Sequence, residues 1–172
     1  MKPAVLLVFL LSLLNTMSCA AQTAAHAESD LVWHTDLLKA QEASNTSNKP
    51  IFGFFTGSDW CGWCHKLQAD VFAKPEFVEW AKENVVLLEL DFPRRKQLSA
   101  ELTQQNMGLQ QAFQVRGYPT IWMFYATTDD KTKQLNLAAL GSVGYPQGAE
   151  RGKEEVKFLS DANAVLANGK KK

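Results

Sequence analysis

Apolar residues along this 172-residue chain fall into short blocks separated by polar turns, and the blocks alternate in kind. Ile51-Phe52-Gly53-Phe54-Phe55 and Val85-Val86-Leu87-Leu88-Glu89-Leu90 are near-continuous runs of β-type residues, the pattern of strands buried on both faces. Thr120-Ile121-Trp122-Met123-Phe124-Tyr125 predicts a third strand. Residues 134–143 read as its hairpin partner, after the turn signals of Thr128-Asp129-Asp130. Helix-like segments occupy 36–43, 61–71, 76–83 and 97–112, the last weakened by Gly108. Residues 154–166 close the chain as an amphipathic helix, with Val156, Leu159 and Leu166 among its apolar positions. Ser44-Asn45-Thr46-Ser47-Asn48, Thr56-Gly57-Ser58-Asp59 and Pro75 punctuate these elements. With a further short element around Trp33, the order β-α-β-α-β-β-α predicts an α/β sandwich. Phe52, Phe54, Phe55, Phe72, Phe77, Phe113, Trp122 and Phe124 are its expected aromatic core.

The chain opens differently. Lys2, an apolar run from Ala4 to Leu14 and then small residues follow the order of a secretory signal peptide, too short for a membrane span. Residues 1–27 are read as that leader, with cleavage near 21–27. Ala25-His26-Ala27 fits the cleavage rule, and so does Cys19-Ala20-Ala21. Cys19 also permits a lipoprotein reading, although Thr16-Met17-Ser18 lacks the leucine that a lipidation site carries. Ordinary cleavage removes Cys19 and leaves Cys61 and Cys64 as the only cysteines. Residues 28–172 are then one domain's length. Losing Lys2 leaves 17 basic residues against 18 acidic ones, a balance that does not point to nucleic acid. Arg94-Arg95-Lys96 reads as a solvated turn after Pro93, with a docking patch for an acidic partner as the rival reading. The tail Gly169-Lys170-Lys171-Lys172 reads as a solvated end.

One cysteine pair cannot staple a domain of this size, so the pair is read as an activity. Trp60-Cys61-Gly62-Trp63-Cys64-His65 follows a strand and opens a helix. Unpaired N–H groups and the partial positive charge of a helix start stabilise a thiolate, the attacking species in disulfide exchange. Cys61-x-x-Cys64-His65 also matches the attachment pattern of a c-type haem. A haem would take His65 as one axial ligand and Met107, Met123 or another histidine as the second. It would need a mostly helical wrapping, which the strand-like segments do not suit. A structural zinc site needs paired ligand clusters, and three Cys and three His in the whole chain supply no second one.

The Cys61-x-x-Cys64 pair at the first helix start, with Gly117-Tyr118-Pro119-Thr120 opening a later strand, resembles the thioredoxin superfamily over nearly all of residues 28–172. Phe55-Thr56-Gly57-Ser58-Asp59-Trp60-Cys61-Gly62-Trp63-Cys64 is similar to the exported thioredoxin-like disulfide reductases of bacteria, of the DsbH kind. The resemblance implies a central mixed β-sheet with helices on both faces. It makes Cys61 the exposed nucleophile and Cys64 the buried resolving thiol. Pro119 matches the family's cis-proline, and Tyr118 would hydrogen-bond substrate through its backbone. Trp60 matches the tryptophan before the first cysteine, and Gly62 and Trp63 form the variable dipeptide. Trp63 stands where proline or histidine is common, either shielding Cys64 or contacting substrate. His65 is read as a bystander.

One departure bears on mechanism. The strand before the pair holds no acid, whereas ordinary thioredoxins carry one there. We expect Glu89, from the neighbouring strand, to supply the buried carboxylate; the rival reading places it at a strand end facing water. Three absences favour a reductase: no large insertion between Cys64 and Pro119, no N-terminal dimerisation module, and no histidine in the Gly62-Trp63 dipeptide. The implied partners are disulfide-containing exported proteins and a membrane-embedded thiol reductant of the DsbD type as electron donor. No cofactor or metal is expected, and the chain is read as a monomer, periplasmic or secreted. Oxidase, isomerase and a non-catalytic binding module are the alternatives.

Overall fold

The computed structural model describes residues 31–129, 131–132 and 134–169. The leader, its cleavage zone and Cys19 lie outside the described residues, as do the lysines of the tail. No helix among the described residues is long and apolar enough to cross a membrane.

The elements are β1 (Trp33–His34), α1 (Leu37–Ser47), β2 (Ile51–Thr56), α2 (Gly62–Leu67), a π-helical turn (Gln68–Phe72), α3 (Pro75–Asn84), β3 (Val86–Asp91), α4 (Ala100–Ala112), β4 (Thr120–Thr128), β5 (Leu135–Val143) and α5 (Glu154–Gly169). The helix termini carry the expected chemistry. The Asp36 carboxylate accepts from Leu38 N and Lys39 N at the start of α1, and Asn48 closes that helix at φ 54°. Pro75 stands in the first turn of α3, where its missing N–H costs nothing. Ser99 caps α4 through Leu102 N, so that helix starts at Ala100 and not at residue 97. The helix predicted for 61–71 splits into α2 and the π turn, which buries Val71 and Phe72 side by side.

The strands form one sheet in the order β1-β3-β2-β4-β5. β1 and β2 run parallel to β3, and β4 is antiparallel to both β2 and β5. This is the mixed sheet that the resemblance implied. It is not the helical wrapping that a haem would need. β2 sits at the centre with all six residues buried, and its alternate side chains feed two separate cores. Phe52 and Phe54 face the side covered by α2, the π turn, α3 and α5, where Phe72 stacks on Phe77 at 4.6 Å. Ile51 and Phe55 face the side covered by α1 and α4. Trp122, expected in the core, is only half-buried and lies flat on Phe113 at 5.1 Å. Tyr118 packs against both cores.

Parallel pairing of β2 with β3 brings their C-terminal ends together, with Thr56 opposite Asp91. The loops that follow both strands therefore meet at one edge of the sheet, and the cysteine pair lies there.

Candidate active site

Cys61 is the N-cap of α2, in extended conformation, and its Sγ accepts from Cys64 N at 3.2 Å. Cys61 and Cys64 are joined in a disulfide with Cα atoms 5.2 Å apart. Cys64 is fully buried and Cys61 keeps 5% exposure. Cys61 thus keeps what little exposure the pair has, and in this disulfide form it is buried rather than the exposed residue that the resemblance implied. The turn behind it is tight: Gly57 O accepts from Trp60 N and from Cys61 N at 3.1 and 2.8 Å.

Two carboxylates hold the loop in front of the pair. Asp91, buried at the end of β3, accepts from Ser58 N at 2.8 Å and Ser58 Oγ at 2.6 Å, and pairs with Lys96 at 2.9 Å. Asp59 accepts from Arg94 N at 3.0 Å and Arg95 N at 2.7 Å. The Arg94 N–H, foremost among these donors, holds the Asp59 carboxyl below the usual carboxylate range. The Arg94-Arg95-Lys96 segment, read as a solvated turn, is therefore tied into the site by backbone bonds and by Lys96. The Arg94 guanidinium also lies 3.7 Å from the Trp60 ring centroid.

Trp60 Nε1 donates to Phe92 O at 2.8 Å, and its ring meets Tyr118 edge-on at 5.8 Å. Phe92 stacks on Tyr118 at 5.3 Å, and Gln110 Nε2 donates to Tyr118 Oη at 2.6 Å. Burial pushes the Tyr118 phenol up. The Tyr118–Pro119 peptide bond is cis.

Trp63 is 53% exposed, its ring edge-on to Tyr145 at 5.1 Å. Gly62 is exposed, with open space around its Cα. His65 is exposed and donates from Nε2 to Ser58 O at 2.8 Å. Glu89 stands mid-strand in β3 opposite Phe54, half-buried. Burial, and then the Asp91 charge, push its pKa up against the opposing pull of Lys96. The position is not a strand end.

The structure thus brings Cys61, Cys64, Trp60, Gly62, Trp63 and Tyr118-Pro119 to one edge, with Glu89 on the strand beneath. Sequence reasoning missed Asp91, Phe92 and Tyr145, and named Ser58 only within the loop motif and Arg94 only as part of a solvated turn or docking patch. A signal existed for Asp91, which ends a strand running parallel to β2 and so must lie beside the loop that carries the pair.

The model of the thioredoxin-like domain family matches residues 37–132. Among known proteins, the chain is 35% identical over 120 residues to the "Disulfide bond reductase DsbH" of Chlamydia pneumoniae, covering 63% of this chain and 72% of that one. It is 29% identical over 146 residues to the "Thioredoxin-related protein DsbJ" of the same organism, covering 84% of this chain but 40% of that longer one. A solved structure titled "DsbH Oxidoreductase" superposes with a TM-score of 0.65 at 28% identity, covering 91% of this chain and 95% of that one. A thioredoxin from Thermus thermophilus, 14% identical, superposes with a TM-score of 0.53 over 81% of this chain and 89% of that one, a likeness of fold.

Proposed function

Because the chain belongs to the thioredoxin-like family, DsbH-like in sequence and structure, and its Cys61–Cys64 pair makes it a thiol–disulfide oxidoreductase, we propose that it reduces protein disulfides outside the cytoplasm. The observation that carries this reading is the pair itself: a disulfide at the start of α2, with Cys61 Sγ accepting from Cys64 N, beside the cis Tyr118–Pro119 bond.

In the reduced protein, Cys61 thiolate attacks one sulfur of a substrate disulfide. A mixed disulfide forms and the other substrate sulfur leaves as a thiolate. Cys64 then loses its proton and attacks Cys61 Sγ, releasing the second substrate thiolate and leaving the Cys61–Cys64 disulfide. Two electrons pass to the substrate. The Cys64 N–H donates to Cys61 Sγ in the closed form, and the same donor favours the Cys61 thiolate in the open one. Glu89 accepts the Cys64 proton, for which a carboxylate pushed up by burial is suited. Trp60 packs beside the pair, and Tyr118-Pro119 offers backbone to an extended substrate segment.

The direction rests on two features. The described segment between Cys64 and Pro119 holds only α2, the π turn, α3, β3 and α4, with no large inserted helical domain such as oxidases carry. The Gly62-Trp63 dipeptide has no histidine. A membrane-embedded thiol reductant of the DsbD type returns the electrons, and the leader at 1–27 takes the protein across the membrane.

The test is the reduction potential of the pair, read by equilibration against dithiothreitol and glutathione buffers. We expect a value near that of thioredoxin, about −270 mV, and one near that of DsbA, about −120 mV, would make the protein an oxidant. Cys64→Ser should trap the mixed disulfide on Cys61; trapping on Cys64 in Cys61→Ser alone would reverse the assignment.

A further inference from the structure

The two tryptophans beside the disulfide are presented in opposite ways. Trp60 is enclosed: Arg94 covers its ring, Tyr118 meets its edge and Phe92 O takes its N–H. Trp63 sits between two buried cysteines and is more than half exposed. Leaving a large indole in water is unfavourable, and a merely shielding ring would fold down over Cys64.

Trp63 is nevertheless held in place. Its ring meets Tyr145 edge-on at 5.1 Å. Tyr145 in turn is fixed by its hydroxyl, which donates to Asp70 Oδ2 at 2.6 Å. Lys66 pairs with that same carboxylate oxygen and lies 5.0 Å from the Tyr145 ring centroid. Lys66, behind the platform, is thus paired with the Asp70 carboxylate, which also feels the charge of Lys74. The chain around Tyr145 also reaches the other half of the site: a Cβ on its neighbour Gly144 would lie 3.6 Å from Pro119 O. Four contacts thus support one exposed indole within two residues of each sulfur.

We propose that Trp63, propped by Tyr145, is the specificity-determining platform of this site and takes an aromatic or aliphatic side chain flanking the substrate cysteine. A polypeptide disulfide-linked to Cys61 and aligned along Tyr118-Pro119 must carry its neighbouring residues past Trp63. The ring there is apolar, and Lys66 behind it is paired with Asp70, so it rewards apolar neighbours over small polar ones. Such residues are exposed beside cysteines mainly in unfolded or extended chains. Tyr145 acts as a positioning residue, through its contact with Trp63. This inference rests on the exchange chemistry proposed above, but not on its direction.

The experiment uses two disulfide-linked peptides that are identical except for the residue next to cysteine, phenylalanine in one and serine in the other. The rate constant of the reduced protein is measured with each. Wild type should favour the phenylalanine peptide by roughly two- to tenfold, the range of one aromatic contact. In Trp63→Ala that ratio falls to about one. Trp63→Phe recovers part of it, and Tyr145→Phe, which keeps the ring but loses the Asp70 bond, gives an intermediate ratio expressed in KM. A wild-type ratio of one, or a ratio unchanged in Trp63→Ala, overturns the platform. Should the wild type reduce neither peptide, the reductase reading fails by itself. The same ratio is then read from oxidation of the two peptides in dithiol form by the disulfide protein, and it decides the platform in that direction.

Discussion

Replacing Gly57 by alanine would place a methyl group inside the Trp60 indole. An ideal Cβ at Gly57 lies 2.4 Å from Cε2, 2.5 Å from Nε1 and 2.8 Å from Cζ2 of that ring. Carbon atoms rest about 3.5–4.0 Å apart, so the indole must withdraw by roughly 1 Å. The ring cannot bend, and it is held on several sides. Moving it lengthens the 2.8 Å bond from Nε1 to Phe92 O, worth about 1 kcal/mol, and loosens Arg94 from the ring, worth about 0.5–1 kcal/mol. Overpacking adds about 1–3 kcal/mol. The backbone offers little resistance of its own, because Gly57 does not use a left-handed conformation, and alanine regains about 0.4–1 kcal/mol through the unfolded state. The net expectation is a loss of about 1.5–4.5 kcal/mol. Urea denaturation of the disulfide form, followed by far-ultraviolet circular dichroism, should show a lower midpoint at unchanged slope, with altered tryptophan fluorescence. Gly62→Ala is the control. Its Cβ meets nothing within 4 Å, so it should keep wild-type stability or gain up to about 1 kcal/mol through the unfolded state. A Gly57→Ala protein as stable as the control, with native fluorescence, would refute the reasoning.

Glu89→Gln should show pH-dependent stabilisation. Burial and Asp91 hold the native carboxyl above the range of the unfolded chain, so stability tied to its proton is full below that range and is lost as pH rises through the native value. Glutamine does not titrate; the variant should gain on wild type in urea midpoints as pH rises from the ordinary glutamate range through the raised native one, and a gap constant with pH would count against it. The same variant should reduce substrate more slowly near neutrality if Glu89 accepts the Cys64 proton. Thr56→Val should raise stability by about 1 kcal/mol, because the buried Thr56 Oγ1 has no hydrogen-bond partner among the described residues. Thermal unfolding that comes at a lower temperature in the variant would show that the hydroxyl is satisfied.

The elements that were legible in the sequence are those fixed by local pattern. β2 and β3 announce themselves as near-continuous apolar runs, interrupted in β3 by Glu89, because both sheet faces are covered, and Cys61-x-x-Cys64 at a helix start is chemistry written in four adjacent residues. What escaped is tertiary. Tyr145 is 82 positions from Trp63, and nothing near either residue signals their contact. Arg94 and Arg95 read as solvated because their side chains are charged and exposed, yet it is their backbone N–H groups that bind Asp59. The aromatic set counts Trp122 as core, but its ring stacks flat on Phe113 and the residue stays half-buried. The π turn escaped because a single extra residue per turn does not disturb an apolar pattern that is only two turns long.

Tyr118 packs against both cores, and its hydroxyl is bonded to α4 through Gln110. In mechanical terms it is an anchor bolted through the whole thickness of the domain. A pull applied at Tyr118-Pro119 is borne by α4 through the phenol, by the loop before α2 through Trp60 and by β3's exit through Phe92. A polypeptide caught at this edge therefore meets a stiff surface and must itself supply the bending.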